Sequence, residues 1–187
     1  MSAEVRANEI ISRLRNFPAV GVEVGVSIGQ TSEALLRDPR IRLYMVDSWA
    51  PESSQLERYL KSGDGNAHYT KAEQDAHLET ARRVTDFAGD RRQLVRLSSK
   101  DAAKTFEDRQ FDFVFIDADH SYEGCQEDIE VWKDKVKPGG LLCGHDYGHP
   151  PTKAEWTWGP KKAVDEACET YGWKLELGEN FTWFVRM

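Results

Sequence analysis

Apolar residues recur along the chain in two rhythms, one suited to helices and one to buried strands. Val5, Ile10, Ile11, Leu14 and Phe17 sit at roughly helical spacing, which predicts an amphipathic helix stopping near Pro18. "AVGVEV" (19–24) then reads as a short buried strand, followed by a helix through "SEALLR" with Thr31 or Ser32 as its cap. Four further apolar runs, "IRLYMVDSW", "QLVRLSS", "FDFVFIDADH" and "GGLLCGHDY", read as strands two to five. They alternate with helical patterns, the signature of a parallel sheet covered on both faces. Tyr122, Cys125, Ile129, Trp132 and Val136 recur at intervals of three and four, forming one face of a helix halted by "KPGG". Another helix, "GPKKAVDEACETYG", opens at Pro160 and ends at Gly172. "WKLEL", a turn at "GEN" and "FTWFVRM" predict a closing antiparallel hairpin. The expected class is therefore α/β.

From Pro51 to Arg92 the pattern weakens. "SGDGN" divides this stretch into two polar helical pieces, "SSQLERYLK" and "KAEQDAHLETARRVTDFAG". Two readings stay open: a variable insert that covers a ligand, or a solvated crossover helix with a loop. His68 and Tyr69, just beyond the break, read as surface residues.

A length of 187 residues suits one domain, 1–187, with a core large enough to need no staples. Hydrophobic residues at 40% and charged residues at 30% are ordinary globular usage. The net charge of −7 offers no general attraction to nucleic-acid phosphates or anionic lipid, so neither partner is expected. Cys125, Cys143 and Cys168 show no CxxC spacing and read as reduced thiols. No signal-peptide pattern or membrane-length apolar run is found, and a soluble cytoplasmic protein is the expectation. A homo-oligomer is compatible with the sequence.

The first strand ends in a bare turn, Glu23-x-Gly25-x-x-x-Gly29. A dinucleotide fingerprint would be G-x-G-x-x-G, whose middle glycine is missing here, so the loop suits a cofactor without a pyrophosphate. Asp47 lies 22 residues beyond Gly25 at the predicted end of the second strand. A carboxylate there has paired acceptors for the two hydroxyls of a ribose. Trp49 has two equal readings, stacking near an adenine or packing in the core.

The E-x-G-x-x-x-G turn resembles the first motif of class I S-adenosylmethionine-dependent methyltransferases. "FIDADHSYEG" followed by "KPGGLLCGHDY" is similar to the small-molecule and sugar O-methyltransferases of that family, related in layout to the catechol type. The resemblance runs from about Gly21 to the closing hairpin and leaves the insert at 51–92 uninformed. It implies a Rossmann-like, doubly wound, seven-stranded sheet, mostly parallel with an antiparallel C-terminal hairpin strand. It also implies S-adenosylmethionine as cofactor and a small-molecule methyl acceptor, most simply at a hydroxyl oxygen. Glu23, Gly25, Ser27 and Gly29 would meet the methionine end, with Glu23 organising its amino group. Asp47 and Ser48 would meet the ribose. Ser98, Ser99 and Lys100 resemble the adenine-contacting segment, with Ser99 and Asp101 as its candidates, and Asp117 would border the cofactor.

Asp117, Asp119 and His120 follow the fourth strand, and His145 and Asp146 follow the fifth. Ligands of open parallel sheets sit beyond such strand ends. Methyl transfer to a hydroxyl needs alignment of the oxygen with the methyl carbon, and a route for the proton. Asp119 and His120 are the base candidates, His120 because an imidazole titrates at about 6.5; Asp117 completes the catalytic set. In metal-dependent relatives, acids at these two strand ends hold a magnesium ion. Asp117, His145 and Asp146 match those positions, but an imidazole at 145 favours manganese, iron or zinc over magnesium. Tyr147, Trp156 and Trp158 have two readings, lining the acceptor pocket or docking their loop onto the domain. Two other classes remain open: a nucleotide- or nicotinamide-dependent enzyme on a similar sheet, and a non-catalytic module that only binds S-adenosylmethionine.

Overall fold

A computed structural model describes residues 3–149 and 158–187. Seven strands form one sheet in the order β3-β2-β1-β4-β5-β7-β6. They are β1 (Ala19–Val24), β2 (Ile41–Asp47), β3 (Arg92–Arg96), β4 (Phe111–Ile116), β5 (Val136–Gly144), β6 (Leu175–Leu177) and β7 (Trp183–Arg186). The pairs β1–β2, β1–β4, β2–β3 and β4–β5 are parallel, while β7 runs antiparallel to both β5 and β6. This is the Rossmann-like, mostly parallel sheet with an antiparallel C-terminal hairpin that the family resemblance implied, and it contains the parallel strands and closing hairpin read from the sequence pattern. The strand order reverses between β1 and β4, so a crevice opens beyond their carboxyl ends.

Alternation along the strands divides the core into two layers. Phe113 and Phe115 of β4 join Leu43 and Met45 of β2 beneath α1 (Ala3–Arg13), α2 (Gln30–Leu36) and α4 (Lys71–Val84). Val114 and Ile116 point the other way, with Val22, Val24 and Trp132, beneath α5 (Ser99–Ala103), α6 (Tyr122–Trp132) and α7 (Pro160–Tyr171). A period of two on a strand buried on both faces requires such a split. Cys125 and Cys143 are buried, and all three cysteines are free thiols. No helix among the described residues is long and apolar enough to cross a membrane.

Several boundaries differ from the sequence pattern. Helix α1 stops at Arg13, short of Pro18. Helix α2 is capped by Gly29 in the left-handed region (φ 82°) without a side-chain bond, because Thr31 and Ser32 lie inside it and are buried. Strand β5 begins at Val136, so "KPGG" lies within a strand, with a register shift against β4 between Phe111 and Phe113. Of "SSQLERYLK" only Glu57–Leu60 is α-helical (α3), flanked by 3-10 turns at Glu52–Ser54 and Gly65–His68. Helix α4 starts at a reciprocal cap in which Thr70 and Glu73 each bond the other's backbone.

At the switch point the ends of β1 and β4 nearly touch. Gly25 N–H donates to Val46 O at 2.9 Å and Asp117 N–H to Val24 O at 2.7 Å. A Cβ on Gly25, whose φ is 92°, would stand 2.0 Å from the Asp117 carbonyl oxygen. Gly25→Ala is therefore expected to destabilise the fold by at least about 2 kcal/mol, since left-handed strain alone costs roughly 1–3 kcal/mol. Urea denaturation measures this, and an unchanged midpoint would mean that the two loops part freely.

Candidate active site

Two chambers open along the crevice and share Gly25, Ser27, Asn66 and Asp117 as walls. The first, about 410 Å³, runs from Gly25 past Asp47 and Ser48 to Ser98, Ser99 and Lys100. The second, about 480 Å³, is walled beyond that junction by Glu23 and Thr31 and by His120, His145 and Asp146. An elongated ligand can thus cross the junction with one end in each.

Asp47 shapes the glycine turn. One of its carboxylate oxygens accepts from the Val26 and Ser27 N–H groups at 2.9 and 2.8 Å, and the other from Trp49 N–H at 2.8 Å. Burial raises its pKa, and these backbone bonds oppose the rise. The chamber wall still includes this carboxylate, beside Ser48. Trp49 is fully buried and its indole N–H donates to Ser27 O at 2.9 Å, so of its two readings core packing holds.

The remaining loop candidates separate. Ser27 lines both chambers. Gly29 lines neither: a Cβ there would lie 2.9 Å from the Ala81 Cα, so its bareness serves the contact between the α2 cap and α4. Glu23 is 2% exposed and its carboxylate accepts from Ser32 Oγ. Burial pushes its pKa up to about 8, helped by the charges of Asp117 and Asp47, against the Ser32 bond and Arg6.

Ser98 caps α5 by accepting from Asp101 N–H, and Asp101 lies outside both chambers, turned to Ser98 and Lys104. Ser99 stands in the first chamber, its hydroxyl bonded to Asp128 and accepting from the Trp132 indole at 2.9 Å. Asp128 is 4% exposed with one oxygen unpartnered among the described residues. Burial pushes its pKa up to about 7.

The acids and imidazoles after β4 and β5 converge unequally. His120 Nε2 lies 3.2 Å from Asp117 Oδ1 and 2.9 Å from Asp146 Oδ2, and its Nδ1 lies 2.7 Å from Asp64 Oδ2. Burial disfavours charge on this imidazole, but hydrogen bonds to three carboxylates outweigh it and raise its pKa well above 6.5. His145 Nδ1 stands 3.1 Å from Asp146 and 3.7 Å from Asp117, and its Nε2 is buried without a partner among the described residues. The Trp158 ring stacks on His120 at 4.5 Å, placed by a backbone bond from Gly159 N–H to His120 O.

Asp119 stands apart from this cluster. It accepts from Ser121 N–H at 2.9 Å and pairs with Arg58 at 3.1 Å, and Arg58 also reaches Glu127 at 2.7 Å. Tyr147 lines neither chamber and donates to Asp165 at 2.7 Å, while Trp156 lies outside the described residues. Tyr69, taken from the sequence as a surface residue, lines the second chamber, packed edge-on against His77; His68 is exposed and pairs with Glu52.

Sequence patterns missed Asp64, Arg58 and Asp128. Asp64 sits in "SGDGN", where its neighbours signal only a break, yet its side chain takes bonds from His120, Tyr59 and Asn66. Asp117, His120 and Asp146 each bring one donor atom to within 4.8 Å of the others. Two carboxylates and an imidazole, with the far nitrogen of the imidazole held by a carboxylate, fit a manganese-, iron- or zinc-like cation.

A family model described as a methyltransferase domain matches residues 19–147. No curated protein matches the sequence. Among solved structures, the O-methyltransferase NovP is 18% identical with a TM-score of 0.65, covering 98% of this chain and 77% of that one. The calicheamicin methyltransferase CalS11 is 15% identical with a TM-score of 0.68 over the same shares. A Burkholderia thailandensis 1,6-didemethyltoxoflavin-N1-methyltransferase, solved with S-adenosylhomocysteine, is 12% identical, with a TM-score of 0.58 over 98% and 74% of the chains. At such identities the likeness is one of fold.

Glu23 gives the ligand-free site a pH signature. Between pH 4.5 and about 8 the unfolded chain ionises this carboxyl while the folded chain keeps it protonated, so stability falls as pH rises through that window. Glu23→Gln removes the contribution. The melting temperature of the wild type is expected to drop more steeply from pH 5 to pH 8 than that of the variant, and parallel profiles would show that Glu23 ionises normally.

Proposed function

The chain belongs to the family of methyltransferase domains, and from that premise we propose that it transfers the methyl group of S-adenosylmethionine to a hydroxyl oxygen of a small molecule. The carrying observation is the pair of chambers meeting at Gly25 and Asp117, with an acid at the ribose position on one side and an ionisable cluster on the other. The nucleoside lies in the first chamber, its ribose at Asp47 and Ser48 and its base toward Ser99. The sulfonium crosses at Gly25, Ser27 and Asp117, and its amino-acid end turns to Glu23. The acceptor then enters beside His120, His145 and Tyr69, with Trp158 excluding water from one face of His120.

Positioning supplies much of the rate, since holding an oxygen in line with the methyl carbon is worth about 7–11 kcal/mol over a bimolecular encounter. Asp64 fixes the His120 ring through Nδ1, which aims Nε2 at the space between Asp117 and Asp146. The hydroxyl proton passes to a carboxylate of this cluster, since His120 between Asp117 and Asp146 already holds its own proton. Asp119 is committed to Arg58 and Ser121 and does not take that proton. Asp117, His120 and Asp146, with His145 alongside, are the residues that would hold a divalent cation. When bound, such an ion supplies Lewis-acid stabilisation of the acceptor alkoxide.

Titration calorimetry is expected to detect S-adenosylhomocysteine and no NAD, the reverse favouring a nicotinamide enzyme. His120→Gln is expected to retain that affinity while turnover falls at least about a hundredfold, the usual scale for a disabled acid–base cluster; undiminished turnover would remove His120 from the chemistry. Thorough chelation is expected to abolish turnover and added manganese or iron to restore it, and full activity after metal removal would eliminate the cation.

A further inference from the structure

The second chamber carries a cation that the reaction as described does not use. Besides His120 and its neighbours, it is walled by Arg6 of α1, Glu23 near the end of β1, and Thr31 of α2. Arg6 is half-buried and donates through Nε to Thr31 Oγ1 at 3.1 Å. No carboxylate among the described residues forms an ion pair with its guanidinium. Glu23 is buried against Ser32 and does not pair with Arg6, although the two are near enough for Arg6 to favour the Glu23 anion. A cation and an acid therefore face one small space without neutralising each other.

A zwitterion with its charges on adjacent carbons complements that arrangement. We propose that Arg6, steadied by Thr31, binds the α-carboxylate of the methionyl end of S-adenosylmethionine while Glu23 takes the ammonium. This inference rests on the cofactor reading above and deepens it by naming a recognition residue that lies outside the glycine turn. The guanidinium presents a planar fork of donors that matches a carboxylate, and Nε held by Thr31 leaves the terminal nitrogens for the ligand. Arg6 is on this view a specificity-determining residue that distinguishes the complete cofactor from nucleosides lacking the amino-acid end.

Two ligands and two variants test the assignment by calorimetry on the full chain. S-Adenosylhomocysteine carries the amino-acid end, and 5′-deoxy-5′-methylthioadenosine lacks it. Arg6→Met is expected to weaken S-adenosylhomocysteine by about tenfold or more, the scale of a lost charge-assisted hydrogen bond, and to leave methylthioadenosine unchanged. Unchanged methylthioadenosine affinity also reports an intact nucleoside chamber. Arg6→Lys, which keeps the charge but not the fork, is expected to fall between Arg6→Met and wild type. Equal S-adenosylhomocysteine affinity in Arg6→Met and wild type overturns the inference, and so does a parallel loss for both ligands. Wild-type protein that binds neither ligand instead removes the cofactor reading itself, a result distinct from either.

Discussion

The contact on which the site depends is made by backbone alone. Where β1 and β4 leave the sheet, Gly25 and the Asp117 carbonyl approach so closely that a methyl group on Gly25 would stand 2.0 Å from oxygen. That approach brings the glycine turn, the Asp117 side chain and both chambers to one point. Asp47 secures the turn from the opposite side through three main-chain N–H groups. A buried carboxylate with so many donors holds a loop whose glycine could otherwise take many conformations. Ligand recognition therefore begins with a rigid turn, even though glycine is the most permissive of residues.

What was legible in the sequence follows from which forces leave periodic traces. Burial on both faces writes apolar runs, so "AVGVEV", "FDFVFI" and "GGLLCG" located three central strands, and the closing hairpin was equally plain. Helix ends were less so: Thr31 and Ser32 have the chemistry of caps, but the turn is closed by Gly29 and both side chains are drawn inward. Motif spacing located Gly25, Asp47 and Asp117 at the crevice, because strand ends of a doubly wound sheet must gather there. It could not separate Gly29, bare for packing against Ala81, from Gly25, bare for the crossing with Asp117. Asp64, Arg58 and Arg6 were illegible for a different reason. Each reaches the site from an element far away in the chain, by a tertiary contact that no local pattern records.

The electrostatics of the cluster also come from convergence. Three carboxylates from three parts of the chain surround one imidazole, and their bonds outweigh the penalty that burial sets on its charge. Asp146 accepts from both His120 and His145; although burial opposes its charge, these partners lower its pKa overall. Trp158, carried in by a backbone bond beside His120, closes one face of the ring. No single residue there is unusual in type, and the chemistry resides in their separation and exclusion from solvent.

Asp64 belongs to the stretch between β2 and α4, the same stretch that supplies Gln55, Leu56, Arg58 and Tyr59 to the wall of the first chamber. Such connections vary more between related proteins than the elements they join, so a graft of this one is conceivable. Here a graft would carry off the partner of the His120 imidazole together with the pocket wall. The wall of the first chamber and the support of His120 are thus inherited as one unit in this scaffold, and recombination that separates them would have to cut inside the insert, on either side of Asp64.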